Sequence, residues 1–259
     1  MPSTYAHYRF GTELLPSMPA DVRRTIQRFR RLYDVGLHGP DIFFYHTSLI
    51  KTANSFLGIK YHDQTGQEFF GRVCRLARLE RSEASLSYLY GVLTHYCLDS
   101  ALHPLISDRA TVGLTSLEIE TEFDRFLLEK DGKNPPHAQD FSPHLKLTPG
   151  EWETVAKFYP PANANLVKES LQKMAAFLKL LAAPEGAKRL VVSKGIGLLG
   201  GELAGAVMTL GPNPKCAHLD PELMDCYDAS VAKFPELLRQ LQAHITYNAT
   251  LEKEFIDVF

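Results

Sequence analysis

Apolar residues return every three to four positions along almost the whole chain, while runs that alternate apolar and polar residues are scarce. The pattern predicts an all-α protein. A first long helix is expected from near Ala20 to Asp34, ending at Gly36 and followed by the loop His38-Gly39-Pro40-Asp41. Thr65 and Glu68 have capping-box spacing and open a helix to about Glu80, and Ser82 caps the next, to about Ile106. Thr115 or Ser116 opens another, to about Lys130. Residues 131–147, rich in Pro, Asn and His, read as a loop, and Thr148-Pro149-Gly150-Glu151 restarts a helix with proline at its first position. Later helices are expected over 163–182 and 221–247, with Pro235 as a break point in the second. No internal repeat or low-complexity segment interrupts the series, so residues 1–259 read as a single all-α domain, a multi-helix bundle.

Within the Ser82–Ile106 run, His95, Asp99 and His103 stand four residues apart. Each such step on an α-helix turns about 40° past a full circle and climbs about 6 Å, so the three side chains share one face. Nitrogen and carboxylate donors repeated along a stripe suit a borderline cation such as zinc, and the central carboxylate can bridge two ions. The stripe reads as a metal site with more than one ion; a half-buried polar stripe with satisfied hydrogen bonds is the alternative. Further candidate ligands lie in the first half of the chain: His7, Asp41, His62 and Glu120. Each has a plainer reading, His7 and His62 as polar loop residues, Asp41 as a helix cap and Glu120 as a surface charge. Ligands scattered over several elements are also how helical bundles assemble multi-metal centres.

Charge and cysteine content narrow the classes. The 28 Lys and Arg nearly balance the 30 Asp and Glu, a net charge of −2 that argues against broad attraction to a nucleic acid backbone. Local basic patches remain, one over Arg23, Arg24, Arg28, Arg30 and Arg31, another over Arg72, Arg75, Arg78 and Arg81 at helical spacing. Each reads as a solvated helix face or as a contact for an anionic surface. Met1 to His7 has no basic start followed by an apolar core, so the expected location is cytoplasmic. Cys74, Cys97, Cys216 and Cys226 form no C-x-x-C pair and fit reduced thiols. No stretch reaches the ~18 apolar residues that span a bilayer; the nearest, Ile196 to Leu210, carries Glu202.

Gly195-Ile196-Gly197-Leu198-Leu199-Gly200 matches a dinucleotide-binding fingerprint, preceded by Arg189-Leu190-Val191-Val192-Ser193 as a possible strand. A Rossmann unit needs alternating strands and helices, which the rest of the chain does not supply. Close helix packing or a surface loop is the expected use of these glycines, with Gly201 and Gly205 continuing the series.

The ordered set Met1-Pro2-Ser3-Thr4-Tyr5-Ala6-His7, Gly36-Leu37-His38-Gly39-Pro40-Asp41, His62, His95-x3-Asp99-x3-His103 and Glu120-x-Glu122-x-Asp124 resembles the bacterial zinc-dependent phospholipase C family, distant relatives of fungal single-strand nucleases. The likeness covers about residues 1–130, and the helical extension over 148–259 adds no motif. It implies an all-α enzyme with a multi-metal cleft that holds two or three zinc ions and cleaves phosphodiesters. His62, His95 and Asp99 would hold one zinc, with Asp41 beside it as ligand or base. His7 and main-chain groups of the N-terminus would hold a second that shares Asp99, and His103 with Glu120 a third. Asp124 would orient a ligating imidazole through its other nitrogen.

Two departures stand out. Where the family pattern carries a histidine four residues before the glutamate, this chain has Ser116, so the third site would be weak, empty or completed by His137 or His144. Met1 also lies six residues before His7, so a terminal-amine ligand is not assured. The implied reaction is phospholipid cleavage to diacylglycerol and a phosphorylated head group, with peripheral contact to a membrane surface. A nuclease and a diverged non-catalytic metal-binding protein are the alternatives. Phe43, Phe44, Tyr45, Phe69 and Phe70 are candidates for a lipid-facing cleft or for the core.

Overall fold

A computed structural model describes residues 4–47, 55–184, 186–198 and 201–259. Among them are twelve α-helices and no β-strand: α1 Thr4–Leu14, α2 Ala20–Arg28, α3 Arg30–Gly36, α4 Ser55–His62, α5 Gly66–Glu80, α6 Glu83–Arg109, α7 Ser116–Lys130, α8 Pro149–Ala156, α9 Ala164–Leu181, α10 Ala187–Leu198, α11 Gly201–Ala204 and α12 Asp220–Tyr247. The expected all-α class holds. No described helix is long and apolar enough to cross a membrane, and Cys74, Cys97, Cys216 and Cys226 are free thiols.

The axis of the fold is α6, about 40 Å long at 1.5 Å per residue. Every residue from Ser87 to Ser100 is buried, because α1, α2, α3, α5, α8 and α12 surround it. A helix covered on all sides is apolar on all sides, so its buried polar residues, Thr94, His95, Asp99 and Ser100 among them, stand out as chemistry. Where α3 crosses α6 the backbones touch. A Cβ at Gly36 would lie 2.6 Å from Tyr88 O, and one at Gly91 only 2.4 Å from Tyr33 O. The crossing admits no side chain on either partner.

Local caps set the ends of the middle helices. Thr65 Oγ1 accepts Glu68 N while Glu68 Oε2 accepts Thr65 N, and Thr115 with Glu118 repeats the arrangement on α7. Ser82 caps α6 through Ser85 N, and Asn163 opens α9 through Leu166 N. Arg81 and Asn248 close α5 and α12 in the left-handed region, at φ 48° and 56°.

Several boundaries differ from expectation. The helix expected over 20–34 is two, because Phe29 at φ −122°, ψ 43° breaks the run between α2 and α3. Pro235 does not break α12, which runs on through the missing amide with Phe234, Leu237, Leu238 and Leu241 buried around it. Residues 189–193 lie in α10, which removes the strand a dinucleotide fold would need; Leu199 and Gly200 of that motif lie outside the described residues. Gly205 serves close packing, since a Cβ there would meet Thr115 and Glu118 of α7 at 2.9 Å. Beyond α12 the chain folds back over α5 and α6. Leu251, Phe255 and Phe259 are buried there, and Asp257 O accepts Gly66 N and the Tyr96 hydroxyl.

Candidate metal centre

Three elements bring four donors to one point. His95 and Asp99 lie on α6, His7 on α1, and Asp41 in a 3-10 turn, Gly39–Thr47, that follows α3. One ligand atom from each lies within 4.8 Å of the other three, and all four residues are buried. His7 Nε2 is 2.9 Å from Asp99 Oδ1, and His95 Nε2 is 3.2 Å from Asp99 Oδ2. Yet both ring nitrogens of His95 and Oδ2 of Asp99 lack a hydrogen bond, as does Nδ1 of His7. Atoms side by side at that distance, not aligned as donor and acceptor, match neighbouring ligands on one cation. A tetrahedral ion with ligands at about 2.0 to 2.1 Å sets them roughly 3.3 Å apart. Buried orphan nitrogens and carboxylate oxygens converging this way fit a metal ion, and the donor set fits zinc.

His62 and His103 complete the rim. His62 ends α4, with Nε2 2.8 Å from Asp41 Oδ1 and its other nitrogen 2.8 Å from Gly58 O. His103 Nε2 lies 3.5 Å from Asp99 Oδ1. These two histidines open the cluster onto a cavity of about 500 Å³, walled by Phe44, Ile59, Pro104, Val258 and Phe259. Of the five aromatic candidates only Phe44 lines it. Phe43, Phe69 and Phe70 are fully buried in the core, and Tyr45 faces a narrower pocket between α7 and α9.

Electrostatics follow from burial against close charges. Burial raises Asp99, but His103, His95 and His7 outweigh it and hold it well below the usual carboxylate range. Asp41 is held low in the same way, chiefly by His62. Burial pushes His95 down to about 4, so it offers a neutral ring, whereas Asp99 draws His7 up and Asp41 draws His62 up, each against burial. Two ionised carboxylates among imidazoles make a site that wants a cation.

Glu120 is buried on α7, pushed up to about 6 by burial and pulled back by His103. It is therefore inside, not a surface charge. His7 and His62, for which a polar loop was the plainer of two readings, stand on helices. Asp124 holds two main-chain amides of α1. Its Oδ2 accepts Tyr5 N at 2.9 Å and its Oδ1 accepts Ala6 N at 2.8 Å, so it caps α1 one residue before His7. Burial lifts its pKa to about 7. His144 sets its Nε2 2.6 Å from His38 Nε2. His137 lines the α7–α9 pocket near Thr121 and Asp124. The main-chain groups of residues 1–3 lie outside the described residues.

Two residues escaped the sequence reading. His38 is fully buried, and burial together with His144 holds it neutral; its signal was its place in the quoted His38-Gly39-Pro40-Asp41 run. Phe259 sets its ring 6.0 Å from that of His95 and 5.0 Å from that of Phe69, and nothing local in the sequence announced it. Gly39 matters for a different reason: at φ +45° its absent side chain leaves room for the His95 ring, whose Cδ2 would be 2.4 Å from a Cβ. No protein-family model, curated protein or solved structure matches this chain.

Proposed function

We propose that this protein is a zinc-dependent phosphodiester hydrolase, similar to the bacterial phospholipases C, that cleaves a phospholipid to diacylglycerol and a phosphorylated head group. The observation that carries this reading is the convergence of His7, Asp41, His95 and Asp99 within 4.8 Å, beside a cavity of about 500 Å³. His62 and His103 extend the donor set toward that cavity, and with Glu120 they would serve further ions. When bound, zinc supplies Lewis acidity toward phosphoryl oxygens and acidifies water near neutral pH.

The chain's own residues do the rest. Asp99 presents one oxygen to His7 and the other to His95, the arrangement a bridging carboxylate needs. Asp41, kept ionised beside His62, can bind a cation or accept a proton from attacking water at the cavity edge. Phe44, Ile59 and Phe259 give the substrate an apolar wall. Among the described residues the cavity lining includes no Lys or Arg but does include Asp63 and Asp257, which favours a lipid over a polyanionic nucleic acid.

Zinc content and turnover of bis(p-nitrophenyl) phosphate test the reading, followed by phosphatidylcholine against single-stranded DNA. The wild type is expected to hold zinc and turn over, with phosphatidylcholine preferred, and Asp99→Ala to lose both metal and turnover. Zinc without turnover would leave a structural metal site, and undiminished zinc in Asp99→Ala would refute the ligand set.

A further inference from the structure

A second feature lies apart from the metal donors. Between α5 and the C-terminal end of α12 runs an open groove of about 1000 Å³. Arg72, Arg75 and Arg78 line it at steps of three residues, along one side of α5. Seven other arginines of the described chain lie within 4.0 Å of a carboxylate, and none of these three lies that close to a described one. The acidic residue in the groove, Glu68, is committed to the Thr65 cap.

Two of the guanidiniums are already oriented. Arg72 donates Nη2 to Phe158 O at 2.9 Å and lies over the Tyr61 and Phe69 rings. Arg78 donates Nη1 to His244 O at 2.8 Å and to Asn248 Oδ1 at 2.6 Å. Each guanidinium carries five N–H donors, so donors remain on both. Arg75 is exposed between them. At Gly71, on the same wall, no atom lies within 4 Å of where a Cβ would stand.

We propose that this groove binds a multiply charged phosphate group, gripped by Arg72, Arg75 and Arg78. Three planar forks in a row offer more donors than one carboxylate can accept, and phosphate matches their bidentate geometry. The ligand is a soluble polyphosphate or the head group of an anionic lipid, which share this chemistry.

Titration calorimetry with inorganic pyrophosphate and co-sedimentation with vesicles of phosphatidic acid in phosphatidylcholine separate the two sources. Arg75→Gln removes one fork at an exposed position, and Gly71→Glu sets a carboxylate on the groove wall without a steric clash. Both are expected to weaken saturable binding about tenfold, one charge-assisted contact's worth, with melting temperature and zinc content unchanged. Arg24→Gln on α2 is the control and should bind as wild type. Binding of pyrophosphate assigns the soluble source, and binding of vesicles alone assigns the lipid. Absence of binding in both arms, or wild-type binding by either groove variant, overturns the proposal.

Discussion

Gly39→Ala tests most directly how the turn before Asp41 holds the metal donors together. The new methyl carbon would stand 2.4 Å from Cδ2 and 2.9 Å from Nε2 of His95, well inside van der Waals contact. The ring cannot easily retreat, since His95 is fully buried with the His7 ring 4.5 Å from it and Phe259 6.0 Å away. Left-handed backbone costs an alanine about 1–2 kcal/mol, and crowding a packed interior adds about 1–3 kcal/mol. The sum is a loss of about 2–5 kcal/mol, with the His95 ring pushed from its place beside Asp99. Urea unfolding gives the first quantity, and competition for zinc with a chromophoric chelator gives the second, expected to fall by at least about tenfold. Gly71→Ala, an open helical site, is the matched control and should stabilise slightly. A Gly39→Ala protein with wild-type midpoint and zinc affinity would refute the packing argument.

Other outcomes follow from single contacts. Asp124→Ala strips the amides of Tyr5 and Ala6 of their acceptor and should cost about 2 kcal/mol in urea unfolding; an unshifted midpoint would contradict its capping role. Phe259→Ala removes a buried ring from among Phe69, Tyr96 and His95 and should cost about 3 kcal/mol, read by thermal melting. Asp220 is raised to about 7, by burial and then by Glu122, so the folded chain holds a proton there between about pH 4 and 7 that the unfolded chain has released. Its contribution to stability therefore falls as pH rises through that window. Asp220→Asn should flatten that decline in unfolding series from pH 4 to 8, and an unchanged slope would show that Asp220 ionises normally.

How much of this was readable in the chain depended on whether the signal was local. Thr65, Ser82, Thr115 and Asn163 cap the helices that begin beside them, and the sequence placed those starts closely. The start of α1 was invisible because its cap is Asp124, on α7. Helix α4 is short and spreads its apolar residues around its axis, with Leu57 and Tyr61 buried but Phe56 and Ile59 exposed, so no periodicity marked it and a loop was one reading of His62. The stripe of His95, Asp99 and His103 was plain from spacing. Its meeting with His7 and Asp41 was expected only by resemblance, since contact between remote segments is set by packing. The His38–His144 pair and the return of Phe255 and Phe259 over α5 depend on tertiary packing alone, and no periodicity encodes them.

The bare crossing of Gly36 and Gly91 has a consequence for how an ion is captured. Asp41 follows one glycine by five residues and His95 follows the other by four, so the gap between these donors is fixed by two main chains in contact. Such a framework cannot slide or breathe without parting the bundle itself. The entropic cost of gathering the donors falls during folding, and metal uptake should proceed with little change in backbone amide exchange around α3 and α6.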